Sequence, residues 1–214
     1  RGDEKNKQLT RIYGLAFNSK KELQEHRHNL ELAKERDHRK IGKELDLFHI
    51  APEIGSGLPL WTPKGTILRK ELERFLTELQ ERDGYEQVST PHIGKIDLYK
   101  TSGHWQNYRE NIYAPMKIDN EEFVLKPMNC PHHIHIYSSQ MRSYRQLPIR
   151  YAEYGTVCRY EQSGELSGTV RTRGFTIDDA HIFCRPDQLK EEFSKVIELI
   201  KTVFSTIKFK DFEA

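Results

Sequence analysis

The stretch from Ile149 to Phe183 constrains this chain more than any other. It reads I-R-Y-A-E-Y-G-T-V-C-R-Y-E, then Q-S-G-E-L-S-G-T-V, then R-T-R-G-F-T-I-D-D-A-H-I-F. Two runs of strand-forming residues flank a segment that holds Gly164 and Gly168, which predicts an antiparallel hairpin with a long connection. Side chains alternate along a strand, so Arg159 and Glu161 are expected on one face. Arg171, Arg173 and Phe175 are likewise expected to share a face on the returning strand. Two readings fit this pattern. One is a solvated face with cross-strand Arg–Glu pairs, each contributing little. The other is a site for a nucleoside triphosphate, because guanidinium forks match phosphate oxygens and a phenyl ring stacks on a base.

Composition narrows the setting. A chain of 214 residues can hold one domain, or one domain and a piece of another. Charged residues make up 31% of it, which implies long solvated helices, yet the formal net charge is only +2. Bulk charge therefore does not argue for nucleic acid, and any RNA contact has to be local. Cys130, Cys158 and Cys184 are an odd set without compact disulfide spacing, which favours a reducing compartment. No apolar run reaches membrane-spanning length, and the polar, basic start is no signal peptide. A cytoplasmic location is expected, although a matrix protein stripped of its transit peptide would look the same.

Along the chain, Arg1 to Phe17 ends in R-I-Y-G-L-A-F and reads as the tail of a preceding region. Ser19-x-x-Glu22 is a capping box, so a helix is predicted from Lys20 to about Gly42. Its apolar set is sparse (Leu23, Leu30, Ala33, Ile41), which suits a helix that bridges domains or lies on a surface; a disordered charged tail is the other reading. The core is expected to begin near Leu45. Turns surround Leu60-Trp61, and a helix is predicted from about Thr66 to Arg82, with Ile67, Leu68, Leu72, Phe75, Leu76 and Leu79 at helical spacing. Asp83-Gly84 ends it, and a strand from Tyr85 to Thr90 is stopped by Pro91. The segment Leu98 to Tyr108 is expected to be a loop whose Trp105 and Tyr108 pack on the core. Pro186 is predicted to open a last helix with Leu189, Phe193, Val196, Ile197, Ile200, Val203 and Phe204 on its apolar face, and another strand begins near Phe212.

A second cluster with chemical potential is Lys126-Pro-Met-Asn-Cys130-Pro131-His132-His133. Pro131 fits the first turn of a helix, which puts Cys130 or Asn129 at its N-terminus. A helix N-terminus is expected to lower a thiol pKa and favour metal binding. The alternative is a buried free cysteine that only packs. Adjacent histidines diverge on a helix, so His132, His133 and His135 cannot all face Cys130.

Arg159-Tyr160-Glu161, a loop, and Arg171-x-x-x-Phe175 resemble motif 2 of the class II aminoacyl-tRNA synthetases. The helix–turn–strand unit ending at Pro91 resembles their motif 1, which builds a homodimer interface. K-P-M-N-C-P-H-H together with Asp178-Asp179-Ala180-His181, and the K-T-S-G-H-W and N-Y elements before Tyr108, are similar to the threonyl-tRNA synthetase family within that class. The resemblance implies Arg159 on the ATP α-phosphate and the amino-acid carboxylate, and Glu161 on the adenine amino group. It implies Arg171 on the γ-phosphate and Phe175 stacked on adenine, with Arg173 beside them. It implies a Zn2+ ligated by Cys130 and His181, with a third histidine beyond residue 214. It implies that Met128 lines the pocket and that Asp179, rather than Asp178, meets the threonine amino group. The cofactors implied are one Zn2+ per catalytic domain and Mg2+ with ATP. The partners implied are ATP, L-threonine, tRNA(Thr) and a second subunit.

No histidine follows His181, and the Gly-rich, arginine-bearing motif 3 is missing from the sequence. The expected fold is therefore α+β, an incomplete class II catalytic fold with an antiparallel sheet flanked by helices. Residues 1–44 would be the tail of a preceding editing region with a linker helix. Residues 45–214 would be the first portion of the catalytic domain, with motifs 1 and 2. Such a piece is expected to be inactive alone. A synthetase-like binding or regulatory module is the alternative, as is a class II enzyme for serine or proline, which would lack the Cys130/His181 pair.

Overall fold

The computed structural model describes residues 12–209. Most of the predicted tail before Ile12 and the strand expected near Phe212 lie outside the described residues. Helix α1 (Lys20–Glu35) starts where the capping box predicts: Ser19 Oγ accepts from Glu22 N at 3.2 Å and Glu22 Oε2 from Asn18 N at 3.0 Å. It buries no residue. The predicted helix does not run on to Gly42. Asp37 accepts from Arg39 N at 2.8 Å and opens a separate helix, α2 (His38–Glu44). Hydrogen bonds from Arg39 also hold the Asp37 carboxyl well below the usual carboxylate range, so the new cap is a fixed charge.

Strand β1 (Phe48–His49) pairs antiparallel with β2 (Leu60–Trp61). Helix α3 (Pro63–Arg82) begins earlier than predicted because Thr62 caps it, Oγ1 accepting from Gly65 N at 3.2 Å, and Pro63 suits the first turn. Gly84, at φ +80°, turns the chain after it. The strand expected over Tyr85 to Thr90 is only β3 (Glu86–Gln87). After β4 (Ile93–Lys95) come two short helices, α4 (Ile96–Thr101) and α5 (His104–Tyr108), where a loop was expected. Trp105 packs against the apolar cluster of Ile96, Tyr99, Ile112 and Val124, whereas Tyr108 is about half exposed. Strands β5 (Met116–Ile118) and β6 (Glu121–Leu125) complete an antiparallel sheet in the order β4-β6-β5. Helix α6 (Cys130–Ser138) leads to the hairpin of β7 (Ile149–Cys158) and β8 (Gly174–Phe183), and α7 (Leu189–Thr206) closes the described chain.

The hairpin pairs from Ile149↔Phe183 to Cys158↔Gly174. β3 joins the free edge of β7 in parallel, so this sheet is mixed rather than wholly antiparallel. Alternation gives it two faces. On one, α3 is bonded by polar contacts: Thr77 Oγ1 to Tyr154 Oη at 3.0 Å, Tyr154 Oη to the Glu73 carbonyl at 2.7 Å, and Gln80 Nε2 to Asp178 Oδ1 at 2.7 Å. The other face, carrying Glu153, Gly155, Asp179 and His181, is covered by the β6–α6 segment. No described helix is long and apolar enough to cross a membrane.

Helix α7 is tied to β7 by a nearly buried fork, with Arg150 Nε and Nη2 each 2.5 Å from a Glu192 carboxylate oxygen. Its apolar residues Leu189, Phe193, Ile197 and Ile200 remain exposed. Glu192→Ala strands the Arg150 charge and is expected to lower unfolding free energy by about 3 kcal/mol in urea melts at neutral pH. Arg150 holds Glu192 below its usual value of 4.5, so the contribution is present above that pH and fades as pH falls through the lower folded value. A loss no greater than that of the exposed Glu198→Ala would show that the fork does not hold α7.

Candidate active site

The alternation of β8 separates two neighbouring carboxylates. Asp178 faces α3 and is held by Gln80, whereas Asp179 shares the opposite face with His181. Cys130, at the first position of α6, arrives on that same face. Ligand atoms of Cys130, Asp179 and His181 all lie within 4.8 Å of one another. Asn129 Nδ2 donates to Asp179 Oδ2 at 3.0 Å and fixes the carboxylate. Gly155 makes this possible, because a Cβ there would overlap the Asn129 amide. The buried Asn129 Oδ1 has no partner among the described residues. Burial, and after it the charge of Asp179, pushes the Cys130 thiol up, so the expected lowering by the helix N-terminus does not win. A bound cation would invert that balance by stabilising the thiolate. Burial lowers His181, which keeps its imidazole neutral and competent as a ligand.

The arginine cluster differs from its predicted form. β7 ends at Cys158, so Arg159 and Glu161 lie beyond the strand, and Arg171 and Arg173 precede β8. One further bond, Arg159 N to the Arg173 carbonyl at 2.9 Å, carries the pairing past the strand ends. The Arg159 guanidinium lies 5.2 Å from the centre of the Phe175 ring, and its Nη2 is 3.3 Å from Met128 Sδ. Glu161 is buried and accepts from Arg171 Nε at 2.9 Å. Arg173 is a clamp: Nε and Nη2 donate to the Glu161 carbonyl at 3.0 and 2.9 Å, and its backbone N–H bonds Gly57 O at 2.7 Å. A cavity of about 200 Å³ is lined by Met128, Arg159 and Glu161 together with His104, Tyr108, Asn111, Ile112 and Pro127. Phe175 and Arg171 do not line it. Phe175 borders a separate cavity of about 440 Å³ with Trp61 and Arg69.

Comparison with known proteins agrees with this architecture. The family described as tRNA synthetase class II core domain (G, H, P, S and T) matches residues 113–213. The threonine–tRNA ligase of Deinococcus deserti is 60% identical over 211 residues, 99% of this chain and 32% of that protein. Residues 113–213 of this chain are similar to the class II synthetase core, and its full length is similar to part of the threonine–tRNA ligases. The threonine–tRNA ligase of Porphyromonas gingivalis is 60% identical over 216 residues, covering 100% of this chain and 33% of that one. A structure of the RNA binding domain of threonyl-tRNA synthetase from Cryptosporidium parvum superposes with a TM-score of 0.77 at 40% identity, over 80% of this chain and 42% of that one. The chain thus spans about a third of the length of the relatives it matches.

Behind the cysteine–histidine cluster the chain holds a buried polar network that sequence reasoning missed. Glu153, on β7, accepts from Thr90 N at 2.7 Å and from Thr90 Oγ1 at 2.9 Å. Its Oε2 lies 3.0 Å from His133 Nε2, and Lys126 Nζ lies 3.6 Å from its Oε1. Burial alone would raise the Glu153 carboxyl, but the bonds from His133 and Thr90 and the Lys126 charge together hold it below the usual range. A sequence signal existed: a single acid inside the strand run Y-A-E-Y-G, at a position whose alternation faces the core.

The packing of Asn129 on Gly155 yields a direct test. Gly155→Ala is expected to displace Asn129 from Asp179 and lower stability by about 1–3 kcal/mol, as overpacking does. Thermal unfolding reads the change, and a midpoint equal to that of the parent would refute the close packing.

Proposed function

We propose that this chain carries the threonine- and ATP-binding part of a threonine–tRNA ligase, which activates L-threonine with ATP to threonyl-adenylate and transfers it to tRNA(Thr). The observation that carries the proposal is the thiol–carboxylate–imidazole cluster of Cys130, Asp179 and His181, set next to a cavity lined by Met128 and Arg159. A soft sulfur with imidazole nitrogen is the donor chemistry of zinc. The residues present fit such an ion, with Cys130 and His181 as its holders. Bound there, zinc supplies a Lewis acid that requires a hydroxyl on the substrate, so valine, which an apolar pocket barely distinguishes from threonine, is refused.

The chain's own groups do the remainder. One Asp179 oxygen is engaged by Asn129, which orients the carboxylate toward a substrate ammonium. Arg159, beside Met128 at the cavity wall, neutralises the amino-acid carboxylate and the α-phosphate as they approach. Glu161, Arg171 and Phe175 are assigned to ATP, with Mg2+ on its phosphates. Adenylation by a carboxylate needs no general base, so positioning and charge neutralisation suffice. We further assign residues 1–44 to a preceding region with its linker, residues 45–214 to the catalytic domain, and the working form to a cytoplasmic homodimer.

The test is zinc content with threonine-dependent ATP–pyrophosphate exchange in the full-length protein. One zinc per chain and exchange with threonine but not valine are expected. Arg159→Ala should lower exchange by about 10²–10³, and Cys130→Ser should release the zinc. Intact exchange in the arginine variant would remove Arg159 from the site. A full-length protein with neither zinc nor exchange would leave a synthetase-like binding module.

A further inference from the structure

The buried network behind the cluster fixes where protons sit, and that has a consequence for His181. Lys126 Nζ donates to Thr90 Oγ1 at 2.7 Å, which turns the Thr90 hydroxyl hydrogen toward Glu153. The Thr90 backbone N–H points at the same carboxylate, at 2.7 Å. Glu153 is therefore an acceptor on every side, and His133 Nε2, 3.0 Å from its Oε2, carries a hydrogen. With a cation in the Cys130–Asp179–His181 cluster, Lys126 serves as the counter-charge of Glu153 and a second hydrogen on His133 would set one positive charge against another across His181, so His133 Nδ1 is left bare. That bare nitrogen lies 2.9 Å from His181 Nδ1, the two rings standing at 84°. Two lone pairs repel at this distance, so the hydrogen between them belongs to His181 Nδ1. The lone pair of His181 is then on Nε2. His133 has no exposed surface, and Glu153 and Lys126 have almost none, so the links are shielded from bulk solvent.

We propose that His133, anchored by Glu153, is a positioning residue that locks His181 with its proton on Nδ1 and its Nε2 free to bind the cation. This rests on the zinc reading of the cluster. Outer partners of this kind, by holding a ligating histidine in one tautomer, typically change metal affinity about 10–100-fold.

The relay predicts an inversion. In Glu153→Gln the Thr90 N–H keeps the amide oxygen at the Oε1 position and turns the amide NH2 toward His133 Nε2. Donor would meet donor, so His133 must move its hydrogen to Nδ1. His181 then accepts at Nδ1 and carries its own hydrogen on Nε2, where the cation should bind. An isosteric change, two residues removed from the ion, is expected to weaken zinc binding about 10–100-fold.

The experiment is zinc affinity by chelator competition on the full-length protein and three variants, each checked for folding by circular dichroism. Glu153→Gln and His133→Leu, which removes the acceptor, should both lose zinc. His133→Asn, which keeps an amide oxygen near the Nδ1 position, should hold it clearly better than His133→Leu. Equal losses for the asparagine and leucine variants would make His133 a packing residue only and overturn the relay. Unchanged affinity in folded Glu153→Gln would overturn it as well. A parent protein that binds no zinc would sink the metal reading and the relay together, whereas zinc bound equally by parent and variants sinks the relay alone.

Discussion

A carboxylate buried in the middle of a strand has to be met by other groups, and in this chain that requirement organises the site. Leaving Glu153 unpaired would cost several kcal/mol, a large share of the stability of a domain this size. Thr90 comes from the segment after β3, Lys126 from the end of β6, and His133 from α6. Two pieces of chain distant in sequence, one at Thr90 and one running from Lys126 to His133, therefore converge on one residue. With Lys126 and His133 both fixed on Glu153, the intervening Met128, Asn129 and Cys130 have little freedom. They pass across the face of β7 and β8, which is why Asn129 finds Gly155 and Asp179 while Cys130 finds His181.

The hairpin divides labour between its faces. Period-2 alternation sends Asp178 and Thr176 toward α3, where Gln80 and Arg69 bond them at 2.7 and 3.2 Å. It sends Asp179 and His181 toward α6. The side against α3 supports, and the side against α6 presents the candidate site, so a register slip of one residue would exchange the two. Paired along the full length of both strands, the hairpin resists such a slip.

Much of this was legible in the sequence because it depends on local rules. The capping box at Ser19, the turn at Asp83-Gly84, the long hairpin and the helix opening at Cys130-Pro131 all follow from residue types at fixed offsets. What was not legible depended on partners far along the chain. Asp37 breaks the predicted linker helix because its side chain competes for the backbone with the helix it interrupts. Alternation was extended too far when Arg159, Glu161, Arg171 and Arg173 were placed on strands. In the structure Arg173 serves as a clamp for the carbonyl of Glu161, a contact no spacing rule foresees. The Cys130 thiol was expected to be lowered by its helix, but burial and the Asp179 charge are larger, and both came from elements invisible at the level of K-P-M-N-C-P. His104, Tyr108 and Asn111 join the cavity wall for the same reason: α5 forms where a loop was read, and its placement depends on Trp105 packing into the Ile96–Tyr99 cluster.

The arginine cluster has a feature that bears on how it could accept an anionic ligand. Arg171 is half exposed, with Nε on Glu161 at 2.9 Å and Nη2 on Glu165 at 2.9 Å. The Glu165 pair, open to solvent on both sides, contributes about 0–1 kcal/mol. A polyphosphate presents several charges and a fork-matching geometry, and charge-assisted bonds to it are roughly twice as strong as neutral ones. The Glu165 pair therefore does not compete seriously with a phosphate. Glu161 differs, because it is buried and Arg173 clamps its backbone as well. A nucleotide drawing Arg171 outward would leave the Glu161 carboxylate in place, oriented and short of a donor, and an amino group on the ligand could supply that donor.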